Sequence, residues 1–170
     1  MATILIVDDS SIARRNLATI LTDAGHTIVA EALNGEIAYI EYERYLPDLV
    51  TMDITMPTLD GIGAVRKIMN DFPDANIIMV SALDQKNMIL LAIQSGAKHY
   101  IIKPFTADKV IKVVSEVLFF SENAEKLSTS INNNLENTID EKTIDDISTT
   151  IEDIDKVIDQ LADSEDVSKI

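Results

Sequence analysis

Cysteine is absent from the chain, which removes disulfide bridges, thiolate metal centres and cysteine nucleophiles from consideration. Histidine occurs only twice, so imidazole-based zinc or copper sites are poorly served. Long apolar runs are missing: no stretch approaches the ~18 uninterrupted apolar residues that a membrane span needs. The N-terminus has no basic segment, and its apolar run, Ile4-Leu5-Ile6-Val7, ends at once in Asp8-Asp9, unlike a secretory leader. These absences predict a cytoplasmic protein. Positive charge is scarce as well, with 14 Lys and Arg against 29 Asp and Glu and a net charge of −15. Residues 1–121 carry 15 acids and 10 bases, and residues 122–170 carry 14 acids and 4 bases, so the shorter part holds most of the excess. Without a basic stripe or a helix–turn–helix pattern, nucleic acid and anionic membrane surfaces are excluded as partners.

What is present is alternation. Thr3–Val7 is a short apolar, β-branched run ending in Asp8-Asp9, and Ser10 can cap a following helix that Gly25 closes. The same unit recurs. Thr27–Glu31 precedes a helix from Asn34-Gly35 to Tyr45, ended by Pro47, and Leu49–Met52 precedes one over Ile62–Asn70. Asn76–Ser81 precedes one capped by Asp84 and reaching Gln94, and Lys98–Ile102 precedes one from Thr106 to Phe119. Five strand–helix units predict an α/β domain with a parallel sheet covered by helices on both faces, spanning residues 1–121. In such sheets ligands sit beyond the carboxyl ends of the strands.

That edge is where the polar residues fall. Asp8 and Asp9 follow the first strand, Asp53 follows the third, Ser81 ends the fourth and Lys103 follows the fifth. Taken singly, each is most simply a turn residue, a helix cap or a solvated charge. Taken together, they place three carboxylates, a hydroxyl and an ammonium at one sheet edge. Carboxylates so crowded repel unless a cation or a proton intervenes. Hard oxygen donors favour Mg²⁺, and a lysine with a hydroxyl suits phosphoryl oxygens.

Across residues 2–120 the chain resembles response-regulator receiver domains. The resemblance rests on Ile4–Ser10, Asp48–Pro57, Asp60-Gly61, Val80-Ser81-Ala82, Gly96-Ala97 and Lys103-Pro104-Phe105. Thr51–Pro57 looks most like the chemotaxis single-domain type. The resemblance implies a doubly wound, flavodoxin-like sheet of strand order 2-1-3-4-5. It implies Asp53 as phosphoacceptor and Mg²⁺ held by Asp9, Asp53 and the Thr55 backbone carbonyl, with Asp8 acting through water. It further implies Ser81 and Lys103 on the phosphoryl oxygens, Ser81 and Tyr100 as a coupled switch, and a cis Lys103–Pro104 bond. The expected partners are a histidine kinase or phosphotransfer protein and a downstream protein target. The expected role is signalling, not catalysis. A phosphorelay intermediate is one alternative. Another is an aspartate-nucleophile phosphohydrolase of the haloacid-dehalogenase type, which places a second Asp where this chain has Thr55.

Residues 122–170 are read as an acidic extension, interacting with a partner, with another copy, or packing on itself. Leu127, Ile131, Leu135 and Ile139 recur every fourth residue within a Ser- and Asn-rich stretch that otherwise reads as a linker. Ile144, Ile147, Ile151, Ile154, Ile158 and Leu161 then keep heptad spacing, which predicts a helix over 142–163.

Overall fold

The computed structural model describes residues 1–138, with Glu125 and residues 128–138 described by their backbone alone. The elements run β1 (Thr3–Val7), α1 (Ser11–Asp23), β2 (Thr27–Ala32), α2 (Gly35–Tyr45), β3 (Leu49–Met52), α3 (Gly61–Asp71), β4 (Ile77–Ser81), α4 (Lys86–Gln94), β5 (His99–Ile102) and α5 (Ala107–Thr138). All strand pairs are parallel, and the sheet order is β2-β1-β3-β4-β5, the flavodoxin-like arrangement.

The alternation of strand side chains builds two apolar layers. Leu5 and Val7 of β1, Val50 and Met52 of β3 and Ile77 and Met79 of β4 meet Ala38 and Tyr42 of α2, Val65 and Ile68 of α3 and Ala92 of α4. Ile4 and Ile6, Leu49, and Ile78 and Val80 point the other way, onto Leu17 and Leu21 of α1 and Val110, Val113, Val114 and Val117 of α5. The three central strands are buried on both faces, which is why they read as continuous apolar runs in the sequence.

Side-chain caps set most helix starts, and the one at Ser10 is as the sequence predicts. Ser10, Asn34 and Asp60 each accept the backbone N–H three residues on. Ends of β2, α3, β4 and β5 shift by one residue, and two helix ends differ in kind. Asp84 does not cap α4: Gln85 holds the N-cap position with no side-chain bond, and its carbonyl accepts from Met88 and Ile89. Asp84 lies one residue too early to reach the orphan amides. The last helix does not stop at Phe119. No glycine or proline follows Pro104 to end it, and Asn123 Nδ2 donates to the Phe119 carbonyl at 2.7 Å across the expected end. The chain divides into compact units at Met1–Asn123 and Ala124–Ile170. The helix expected over 142–163 lies outside the described residues.

One approach between chain segments tolerates no side chain. The Gly61 N–H donates to the Ile54 carbonyl at 2.9 Å, and a Cβ on Gly61 would lie 1.9 Å from the Asp53 carbonyl oxygen. Gly61→Ala is expected to lower stability by about 3 kcal/mol, the upper part of the overpacking range. Gly25→Ala is the control. Its φ is +86° but nothing lies within 4 Å of the added carbon, so it should cost only the ~1–2 kcal/mol of a left-handed backbone. Urea unfolding of both variants checks this; equal midpoints would contradict the close approach at Gly61.

Candidate functional site

Sheet register assembles the site. Val7 pairs with Met52, so Asp8 and Asp53, the next residues of each strand, emerge side by side. The Asp53 N–H continues the ladder to the Val7 carbonyl at 2.9 Å. Met52 pairs with Met79, which leaves β4 two residues longer and carries Ser81 beside Ile102 of β5. The Lys103 N–H then donates to the Ser81 carbonyl at 2.8 Å. The Lys103–Pro104 bond is cis.

The side chains converge as the sequence predicts for four of them. Lys103 Nζ donates to Asp8 Oδ2 at 2.6 Å and to Asp53 Oδ1 at 3.0 Å. Carboxylate oxygens of Asp8, Asp9 and Asp53 all lie within 4.8 Å of one another. The remaining oxygens of the two inner acids are held by backbone: Ser10 N–H donates to Asp8 Oδ1 and Thr55 N–H to Asp53 Oδ2, each at 2.9 Å. The Asp8 and Asp53 side chains are 2% and 7% exposed and Lys103 23%, so the two inner carboxylates are buried and the lysine nearly so. Asp9 is exposed, and its carboxylate has no hydrogen bond or ion pair among the described residues.

The electrostatics follow from this crowding. Burial pushes the Asp53 carboxyl above the usual aspartate range; Lys103 opposes that and the Asp8 charge adds to it. Burial pulls the Lys103 ammonium down, but its bonds to Asp8 and Asp53 outweigh this and hold it above the usual lysine value. Three hard oxygen donors at one point suit Mg²⁺, and an exposed Asp9 leaves the cluster open on one side. The donor set therefore fits the ion.

The pair expected to act as a switch is linked through the β4–α4 loop. Ser81 is buried, and the Leu83 N–H donates to its Oγ at 3.4 Å. The Tyr100 hydroxyl donates to the Leu83 carbonyl at 2.7 Å, with the ring packed against the first apolar layer. Burial raises the Tyr100 phenol above its ordinary value, a hydrogen bond with Ser81 opposes that, and the charges of Asp53 and Asp84 add to it. The Thr55 side chain is exposed, and only its N–H is seen to engage the cluster.

One residue beside the site was not singled out from the sequence. Arg14 Nη1 donates to the carbonyls of Asp8 at 2.9 Å and Asp9 at 3.4 Å, and its Nε donates to Glu31 Oε2 on β2 at 2.8 Å. The available signal was an arginine in the first turn of a helix that starts at the acidic pair.

Comparison with known proteins shows the family to which such a sheet belongs. The family model for the response regulator receiver domain matches residues 4–115. Chemotaxis protein CheY of Bacillus subtilis is 49% identical over 115 residues, covering 68% of this chain and 96% of that protein. The Thermotoga maritima chemotaxis protein CheY is 45% identical over 114 residues, covering 67% and 95%. Among solved structures, the CheX–CheY–BeF3–Mg²⁺ complex from Borrelia burgdorferi superposes with a TM-score of 0.67 at 39% identity, covering 68% of this chain and 87% of that one.

The raised Asp53 carboxyl has a consequence for stability. A group that binds its proton more tightly when folded stabilises the fold at low pH and loses that contribution as pH rises through its folded value. Ionised Asp53 therefore weakens the metal-free fold at neutral pH. Asp53→Asn should be more stable than the parent at pH 7 in EDTA, and the gain should shrink as pH falls toward the ordinary aspartate value of 3.8. Urea midpoints at pH 7 and at the ordinary aspartate value of 3.8 test this. A gain that is the same at both would assign the effect to packing instead.

Proposed function

The chain belongs to the response regulator receiver family, and on that premise we propose that it is a phosphorylation-operated switch with Asp53 as the acceptor. The phosphoryl group comes from a histidine kinase or a phosphotransfer protein, and the modified domain signals by binding a downstream protein. The observation that carries this reading is the meeting of Asp8, Asp9 and Asp53 with Lys103 at the carboxyl edge of the sheet.

The chemistry asks little of the protein beyond placement and charge. An Asp53 carboxylate oxygen attacks phosphorus, an O–P bond forms, the N–P bond of a phosphohistidine breaks, and its electron pair returns to the imidazole nitrogen. Thr55 N–H holds the carboxylate in place through its second oxygen. Lys103 Nζ, already on Asp53, is positioned to exchange that bond for a phosphoryl oxygen, and the Ser81 hydroxyl takes another. Asp8, Asp9, Asp53 and the Thr55 carbonyl would hold Mg²⁺, which when bound offsets the carboxylate charge and that of the phosphoryl oxygens. Ser81 shifting toward the phosphoryl group alters its contacts with Leu83 and Tyr100, which passes the change to the surface around α4 and β5.

The relatives named as chemotaxis proteins favour control of motility as the process; a phosphorelay intermediate would use the same chemistry. The site acts once per phosphoryl group rather than as a turnover enzyme. Thr55 offers no acid in the place a haloacid-dehalogenase-type phosphohydrolase needs one, and neither Thr55 nor Leu83 is an acid, amide or base that readily orients an attacking water, which favours a slow loss of the phosphoryl group. No helix among the described residues is long and apolar enough to cross a membrane, in keeping with a cytoplasmic site of action.

Incubating the full chain with phosphoramidate and Mg²⁺ should add one phosphoryl mass, read by mass spectrometry, and Asp53→Asn should add none. Labelling of that variant at another residue would sink the assignment, and continuous phosphate release by the parent would favour the phosphohydrolase. Deleting residues 122–170 should leave the labelling intact, because every site residue precedes that segment.

A further inference from the structure

Of the three clustered carboxylates, Asp9 is the one that nothing holds. Asp8 is fixed by Lys103 and the Ser10 N–H, and Asp53 by Lys103 and the Thr55 N–H. The Asp9 side chain is exposed and without a hydrogen bond or ion pair among the described residues, so only its backbone sets where its carboxylate can reach. That backbone is gripped on both sides. Arg14 Nη1 accepts no bond and donates two, to the carbonyl before the Asp9 nitrogen and to the carbonyl of Asp9 itself. The guanidinium is in turn locked by its Nε to Glu31 on the edge strand β2, with an Arg14 side chain only 18% exposed.

We propose that Arg14, anchored by Glu31, is a positioning residue for metal binding: it fixes the peptide units around Asp9 so that this otherwise free carboxylate meets Asp8 and Asp53 at the ion. The inference rests on the Mg²⁺ site of the proposed function. Planarity is what the role requires. One nitrogen of the fork meets Glu31 while another reaches the two carbonyls, and a lysine ammonium on a flexible stem cannot reproduce that fixed pair of directions. The choice of partners also keeps the positive charge from opposing the ion, since Glu31 offsets it at 2.8 Å.

Charge and position predict opposite signs, which makes the role testable. If Arg14 acted only through its charge, Arg14→Met would remove a cation beside the site and strengthen Mg²⁺ binding, and Arg14→Lys would change nothing. Positioning predicts that both variants weaken it, by about tenfold or more, as outer partners of metal ligands commonly do. Mg²⁺ titrations of the full chain, followed by amide chemical shifts in the β1–α1 and β3–α3 loops, measure this. Melting in EDTA should leave Arg14→Lys close to the parent, separating a lost ligand geometry from a lost fold. In an Asp9→Asn background, replacing Arg14 should have no further effect. Parent affinity in Arg14→Lys, tighter binding in Arg14→Met, or an undiminished loss in the Asp9→Asn background would each overturn the proposal while leaving the phosphoacceptor reading in place. A parent protein with no Mg²⁺-dependent shifts would overturn the metal site and the proposal together.

Discussion

The Lys103 ammonium between the buried carboxylates of Asp8 and Asp53 is the interaction on which the site depends. Two acids taken out of water side by side cannot both stay ionised without compensation. Lys103 provides one positive charge for the two, and backbone N–H groups of Ser10 and Thr55 satisfy the oxygens it does not reach. The compensation is incomplete, and Asp53 remains above its ordinary range. A site left short of positive charge in this way is receptive to a divalent cation.

Delivering that lysine is a matter of topology. Asp8 and Lys103 are separated by 95 positions in the chain. They meet because β1, β3, β4 and β5 pair side by side in parallel, and parallel strands place all their carboxyl ends at one edge. The loops tolerate little variation there. Gly61 sits where a single added carbon would strike the Asp53 carbonyl, so the helix that follows the Asp53 loop can begin only where the side chain is absent. Asp60, immediately before it, caps the same helix through the Gly63 N–H. The Asp60-Gly61 pair thus closes the loop behind Asp53 on both counts.

Much of this was legible in the sequence because the signals were local and strong. The apolar runs mark β1 and β3 to the residue, and Ser10 and Asn34 mark helix starts. Asp8, Asp9, Asp53 and Lys103 were placed together by one rule about strand ends, and the structure brings them together. The start of α4 was misjudged because Asp84 has the right chemistry for a cap at the wrong position, and the helix begins at Lys86 without one. The end of α5 was misjudged because a Ser- and Asn-rich composition suggests a break, whereas only glycine, proline or a competing contact forces one. Arg14 escaped notice for a different reason. Its partners are two backbone carbonyls and a glutamate on another strand, and none of these is visible to a search for clustered side chains.

The same geometry explains how a change at Asp53 can be felt at a distance without any large rearrangement. Lys103 is bound to Ser81 through its backbone and to Asp53 through its side chain, so it ties β4 and Asp53 together. Ser81 Oγ accepts from the Leu83 N–H, and the Leu83 carbonyl accepts from Tyr100. Of these contacts, the bond from Leu83 to Ser81 is the longest, at 3.4 Å. A weak bond is the one most cheaply given up, and the Ser81 hydroxyl that accepts it can donate to a phosphoryl oxygen, a strong acceptor. On the proposed reading, the Ser81 hydroxyl is therefore the place where the network yields first. The cost of that exchange is small because the loop amide it releases lies beside exposed Ala82 and Asp84, where water can replace the lost partner.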